Sequence, residues 1–340
     1  MSPTPHKRAF VTFVIRNDSF IPGALVFAYA LKCQGVTADI LCLASDELTA
    51  RGVATLSIVF DDVLVIDELF VPHDERHKRQ DRPFLFTRFH AFRLGEDGDL
   101  GCDYDKIVMA DADVLPLADY ETLFDLPAPS GILNEDKALC MESKQGKYVI
   151  PKSVYDSGTW IWHDHYRDIP HGSPIPKSIT DRVLDDHKNM GVNTALNVLA
   201  PTMAWYDAMI EDVVNEDMLA KIRAFPWPEM QYLTMKLSGQ WHNLDLRFAS
   251  FNGYPDIAVL KGIHYAGLKP WQLTHRSIMH FAKNEDYRLW YATFLAMVSR
   301  YPDTLNHPKI RRMHKTIETM VKQPSYRFTR RQLPNVKQLF

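Results

Sequence analysis

KIVMADADVLPL, residues 106–117, decides how this chain is read. An apolar run of strand type, Ile107 to Ala110, passes directly into two aspartates one residue apart, Asp111 and Asp113. A carboxylate at the tip of a buried strand has to be solvated, hydrogen-bonded or bound to a cation. In open α/β sheets, ligands gather at the carboxyl ends of the strands. The flanking sequence tells whether such a sheet exists.

Upstream, short β-branched runs alternate with helix-like segments. AFVTFVI (9–15), DILCLA (39–44) and DVLVIDE (62–68) read as buried strands, and KIVMA (106–110) is the fourth. Between them, PGALVFAYALKCQ (22–34) has helical spacing with Pro22 near its start, and FLFTRFHAFRL (84–94) has helical spacing too. SDELTARGVATL (45–56) opens with Ser45 as a candidate N-cap and Glu47 in its first turn. This alternation predicts an α/β fold with a parallel sheet covered on both faces. Downstream, ILN (132–134) and VNTALNVLAP (192–201) read as further strands around a Pro-, Gly-, Ser- and His-rich insertion at 142–190. From about Asp286 the pattern is helical to about Gln323, broken at Pro302 and Pro308. The expected organisation is one domain over 1–275, the insertion serving as lid or acceptor wall, and a helical extension over 276–340 with a basic tail.

Composition narrows the function classes. The 340 residues are 46% hydrophobic and 24% charged, with a formal net charge of −3, so no global polycation points to nucleic acid. The basic residues past Tyr301 read as a solvated helix face. Cys33, Cys42, Cys102 and Cys140 lack metal-knot or disulfide spacing and suit a reducing compartment. No run approaches the roughly 20 apolar residues that span a bilayer, and no secretory signal is visible, so the expected location is the cytosol.

Three segments carry chemistry. Asp111 and Asp113 can reach one hard cation if the turn bends them together. GIHYAGLKPW (262–271) offers a nitrogen ligand in His264, close backbone approach at Gly267 and a phosphate-matched charge in Lys269. RNDSFIPG follows the first strand, where a nucleotide base sits in doubly wound sheets. Neither a GxGxxG nor a GxxxxGK[ST] pattern is present there, which argues against dinucleotide and P-loop sites.

These segments, with FTRFHAFRL, VNTALNVLAP and PEMQYLTMKL, stand in the order seen in retaining glycosyltransferases of family 8, which the chain resembles over roughly 8–271. The resemblance implies a GT-A fold: a single Rossmann-like mixed sheet flanked by helices. It also implies a UDP-sugar donor, a divalent cation (Mn²⁺, or Mg²⁺) and a protein or glycan acceptor, with a homodimer allowed. On the same basis Asp111, Asp113 and His264 are the metal ligands. Gly267, Lys269, Arg88 and the Ala112 backbone face the diphosphate. Thr12, Phe13, Asn17 and Phe20 face the base, and Asn193, Thr194 and Glu229 face the donor sugar, with Glu229, Asn193 and Arg88 closest to the chemistry.

The sequence also departs from the family pattern. Arg16 lengthens the base loop by one residue, Ala195 replaces a glycine, and Met230 stands where the family has Gln, with Gln231 one place on. Within the insertion, Trp160, Trp162 and Tyr166 suit either sugar stacking or core packing, whereas His163, Asp164, His165 and His171 read as exposed polar surface. The IPKSIT…NTALNVL arrangement is faintly similar to family members from large DNA viruses and protists, which implies a protein or glycan acceptor in a viral or host cytosol. Two alternatives stay open: a sugar nucleotidyltransferase, and a non-catalytic sugar-nucleotide-binding scaffold.

Overall fold

The computed structural model describes residues 7–73, 81–133, 142–144, 147–149, 169–187, 189–252, 257–272, 274–282 and 284–322. Its strands are β1 (Arg8–Val14), β2 (Asp39–Ser45), β3 (Asp62–Ile66), β4 (Lys106–Ala110), β5 (Val114–Pro116), β6 (Ser130–Leu133), β7 (Glu142–Lys144), β8 (Lys147–Val149), β9 (Val192–Leu199), β10 (His242–Asn243), β11 (Ser250–Phe251) and β12 (Gly262–His264). Seven form the main sheet in the order β10-β6-β9-β4-β1-β2-β3. β4, β1, β2 and β3 run parallel, as their continuous apolar sequences predict. β9 is antiparallel to both β4 and β6, so the sheet is mixed rather than wholly parallel. β9 is buried along its whole length, which leaves no alternating pattern to reveal its direction.

The pleat divides the core. Phe10 and Val14 of β1 pack on the face covered by α1 (Ile21–Gln34), with Ile40, Cys42 and Ala44 of β2 beside them. Ala9, Val11 and Phe13 point to the opposite face, among Phe86, Phe89 and Tyr232. Residues Arg82–Leu94 form a run of 3-10 turns, so the helical spacing of 84–94 is realised in a tighter coil than the α-helix. α2 (Ala50–Leu56) begins later than Ser45 suggests. Ser45 stays in β2, and Thr49 is the true N-cap, accepting the Gly52 N–H at 2.9 Å.

The C-terminal segment is built as its prolines predict: a helix Glu285–Arg300, 3-10 turns Pro302–Asn306 and a helix Pro308–Val321. Its Trp290, Tyr291, Phe294 and Met297 are buried in the same hydrophobic cluster as α1, so the extension shares the core of the main unit. In the insertion, β7 and β8 pair antiparallel, and short helices lie at Lys177–Thr180 and Arg182–Asp185. Trp160, Trp162, His163, Asp164, His165 and Tyr166 lie outside the described residues. His171 stacks on Phe248 at 5.5 Å and accepts the Asp245 N–H at 3.0 Å, a packed surface role.

Candidate active site

The turn Asp111–Asp113 carries the chain from the main sheet into a second sheet, ordered β11-β12-β5. Two backbone pairings fix it. The Asp111 N–H donates to the Ala195 carbonyl at 2.9 Å, and the Tyr265 N–H donates to the Asp113 carbonyl at 2.9 Å. The β4–β9 register pairs Ala110 with Leu196, so Asn193 and Thr194 extend past the end of β4 beside Asp111. The β5–β12 register pairs Val114 with His264 and sets that imidazole against Asp113. Gly23 makes the turn possible. A Cβ there would lie 2.4 Å from the Ala112 carbonyl oxygen and 2.4 Å from the Trp271 ring, so α1 can approach only as glycine.

Asp111, Asp113 and His264 each offer a ligand atom, and the three atoms lie within 4.8 Å of one another. The donor set, two carboxylates and an imidazole, suits a hard or borderline divalent cation. Asp113 Oδ1 is buried and receives no hydrogen bond among the described residues, so a lone pair is left for such an ion. The residues present therefore fit the divalent cation that the sequence resemblance implies.

The two aspartates differ in their partners. Lys269 is in contact with Asp113 Oδ2 and donates to the Tyr265 carbonyl at 2.7 Å, while His264 Nε2 lies 3.4 Å from Asp113 Oδ1. Burial alone would raise the Asp113 carboxyl, but the Lys269 ammonium and the His264 ring outweigh it and hold the group well below the usual range. Asp111 is a quarter exposed and accepts from Arg88 at 2.9 Å. Burial pushes its carboxyl up, and the charges of Asp113 and Glu229 add to that rise against the opposing Arg88.

Arg88 organises the second flank. Its guanidinium donates to the Thr194 carbonyl at 2.7 Å, lies 3.7 Å from Glu229 Oε1, and sits over the Phe13 ring at 4.9 Å. Glu229 occupies the first turn of the helix Pro228–Lys236, where the helix dipole favours a carboxylate, and accepts from Thr194 Oγ1 at 3.0 Å. Asn193 Oδ1 accepts the Ala195 N–H at 2.9 Å.

These groups line a cavity of about 580 Å³, within the usual range for small-molecule sites. Phe13, Asn17, Phe20, Arg88, Asp111, Ala112, Asp113, Asn193, Thr194, Glu229, His264, Gly267 and Lys269 all contribute to its wall. Thr12 does not. The pleat turns it to the α1 face with Phe10 and Val14, fully buried, which corrects its expected place beside the base. Phe20 meets Trp271 edge-on at 5.6 Å. Met230 faces the cavity, whereas Gln231 is buried, accepting the Trp227 N–H and donating to the His187 and Asn189 carbonyls. The wall also includes Arg16, Arg82, Met190, Trp227 and Phe251, which sequence reasoning passed over. Arg16 carried a signal, the extra residue in its loop: it adopts φ 68° and donates to Glu68 at 3.1 Å, absorbing the insertion in one left-handed residue.

No protein-family model matches the chain. It is 23% identical over 245 residues to uncharacterized protein R707 of Acanthamoeba polyphaga mimivirus, covering 71% of this chain and 70% of that protein. It is 37% identical over 125 residues to glycogenin-1 of Caenorhabditis elegans, covering 36% of this chain and only 27% of the glycogenin. Among solved structures, an active-site mutant of LgtC superposes with a TM-score of 0.50 at 11% identity, over 77% of this chain and 89% of that one. The fold is that of the GT-A glycosyltransferases. Over part of its length the chain is also similar in sequence to glycogenin, and it spans only about a quarter of that relative.

Proposed function

We propose that the protein is a retaining hexosyltransferase, moving a sugar from a UDP-sugar, with UDP-glucose as first candidate, to a hydroxyl of a protein or glycan in the cytosol. The convergence of Asp111, Asp113 and His264 within 4.8 Å, in one cavity with Arg88 and Lys269, carries the reading. Those three residues would hold a divalent cation, Mn²⁺ before Mg²⁺, which supplies Lewis-acid neutralisation of a leaving diphosphate.

Lys269 and Arg88 contribute fixed positive charge to the diphosphate side of the cavity. Four carboxylates on the wall, Asp81, Asp111, Asp113 and Glu229, match four permanent cations, Arg16, Arg82, Arg88 and Lys269, so the side chains alone give no net pull on an anion. The anomeric carbon–oxygen bond breaks with its electron pair leaving on the diphosphate. The acceptor oxygen bonds to that carbon on the same face and releases its proton to the departing phosphate oxygen. Glu229, fixed by Thr194 and Arg88, lies on the wall where positive character develops on the sugar. It acts there as nucleophile in a double displacement or as electrostatic stabiliser in the front-side course. Met230 puts a thioether, not an amide, beside that position, which favours a donor sugar recognised less by hydrogen bonds there.

A panel of UDP-sugars assayed for Mn²⁺-dependent UDP release tests this. One donor should be turned over well above the others. UDP binding without turnover of any donor would identify a scaffold instead.

A further inference from the structure

The cavity's wall contains two loops, 15–20 and 265–272, far apart in sequence. Both are tied from behind by the C-terminal helical segment. His307, only 4% exposed, places Nε2 3.1 Å from Asp18 Oδ2, and Lys309 donates to the Ser19 carbonyl at 2.8 Å. Asp18 is also gripped by the Thr49 N–H at 3.1 Å and its hydroxyl at 2.7 Å, so it links α2, the loop and the C-terminal segment at one carboxylate. No donor or acceptor reaches His307 Nδ1 among the described residues, so the ring's polar contact is the one its Nε2 makes with Asp18. At the second loop, the Tyr287 hydroxyl donates to the Leu268 carbonyl at 2.5 Å, and the Tyr265 hydroxyl donates to the Asp286 carbonyl at 2.6 Å. Leu268 lies between Gly267 and Lys269, which face the cavity.

Neither set of bonds is what packing alone demands. The helix Pro308–Val321 already has an apolar anchor in buried Ile310, Ile317 and Met320. The half-buried Lys309 is held at a loop carbonyl although burial lowers its pKa, a position that costs solvation and gives a directed contact.

We propose that residues 285–309 are a brace for the ligand-binding cavity, with His307 and Lys309 positioning the 15–20 loop and Tyr287 positioning the 265–272 loop. The two clamps act separately, one at each side of the cavity. None of these residues touches the reacting atoms. They act through Ser19, Phe20, Gly267 and Lys269. The link to nucleotide affinity rests on the donor-site reading above, whereas the bracing itself does not.

Hydrogen exchange on the unliganded full-length protein separates the two. His307→Ala should speed exchange of the amides at 17–20 about tenfold and leave 265–272 unchanged. Lys309→Met, which keeps the apolar stem, should act in the same direction. Tyr287→Phe should speed exchange at 265–272 alone. His307→Gln, which retains an N–H donor, should restore protection at 17–20. Unchanged exchange at both loops, or a rise spread evenly over β1, β2 and β4, overturns the brace. UDP affinity is then measured with Mn²⁺ on the same variants. A rise of about tenfold in the UDP dissociation constant is expected, with kcat on the best UDP-sugar nearly constant. Wild-type protein that fails to bind UDP, with the loop-specific exchange intact, would remove the donor reading and leave the brace standing.

Discussion

Asp111 and Asp113 are separated by a single alanine, yet they belong to two different flanks of the cavity. Asp113 sits with Lys269 and His264 on elements from the second sheet, and its carboxyl is held low. Asp111 sits with Arg88, Thr194 and Glu229 at the edge of the main sheet, and its carboxyl is pushed up. The reason is topological: the turn between them crosses from one sheet to the other, so neighbouring residues acquire unrelated surroundings. The two flanks would share the cation through Asp111 and Asp113, with Lys269 beside Asp113 on the diphosphate side and Glu229 near Asp111 on the sugar side.

Substitutions can break that division. The largest effect is expected for Asp113→Asn, which removes a metal-ligating charge and should lower UDP release from the best donor at least about a thousandfold. Next, Glu229→Gln should reduce turnover about a hundredfold while leaving UDP affinity in Mn²⁺ within about threefold of wild type. Parallel loss of affinity, read by calorimetry, would erase the distinction between flanks. Lys269→Met should do the converse, weakening UDP binding roughly tenfold with a smaller effect on turnover of bound donor.

Two smaller effects test the support beneath the flanks. Gly23→Ala forces a Cβ against the Ala112 carbonyl and Trp271 and should cost about 1–3 kcal/mol, measured by urea denaturation. Asp18 titrates below its ordinary value, because hydrogen bonds from Thr49 and His307 outweigh the opposing effect of burial. A lowered folded-state value means stabilisation that is present above the unfolded carboxyl's pKa and lost as pH falls through the folded one. The urea midpoint of Asp18→Asn should therefore fall short of wild type at pH 7, and the gap should close toward pH 3. A gap independent of pH would contradict the assignment.

Much of this was legible in the sequence, for physical reasons. Continuous apolar runs alternating with helix-like segments point to buried parallel strands, and those of β1, β2 and β4 supplied the frame. Asp111 and Asp113 stood out because paired charges at a strand tip demand a partner. The direction of β9 was not legible, since burial on both faces removes the pattern that orients a strand. Thr12 was misplaced because position along a strand does not tell which face a residue takes until its neighbours' packing is known. Trp227 and Arg82 were missed because no local pattern marks a residue that reaches the cavity only through the packing of distant segments.

One cation site spanning both sheets should govern nucleotide binding. Calorimetric titration of UDP into wild-type protein and His264→Ala, each with Mn²⁺ and with chelator, tests it most directly. Mn²⁺ should strengthen wild-type UDP binding at least about tenfold, and His264→Ala should lose most of that gain. Equal UDP affinity with and without metal, or a full metal effect in His264→Ala, would contradict it.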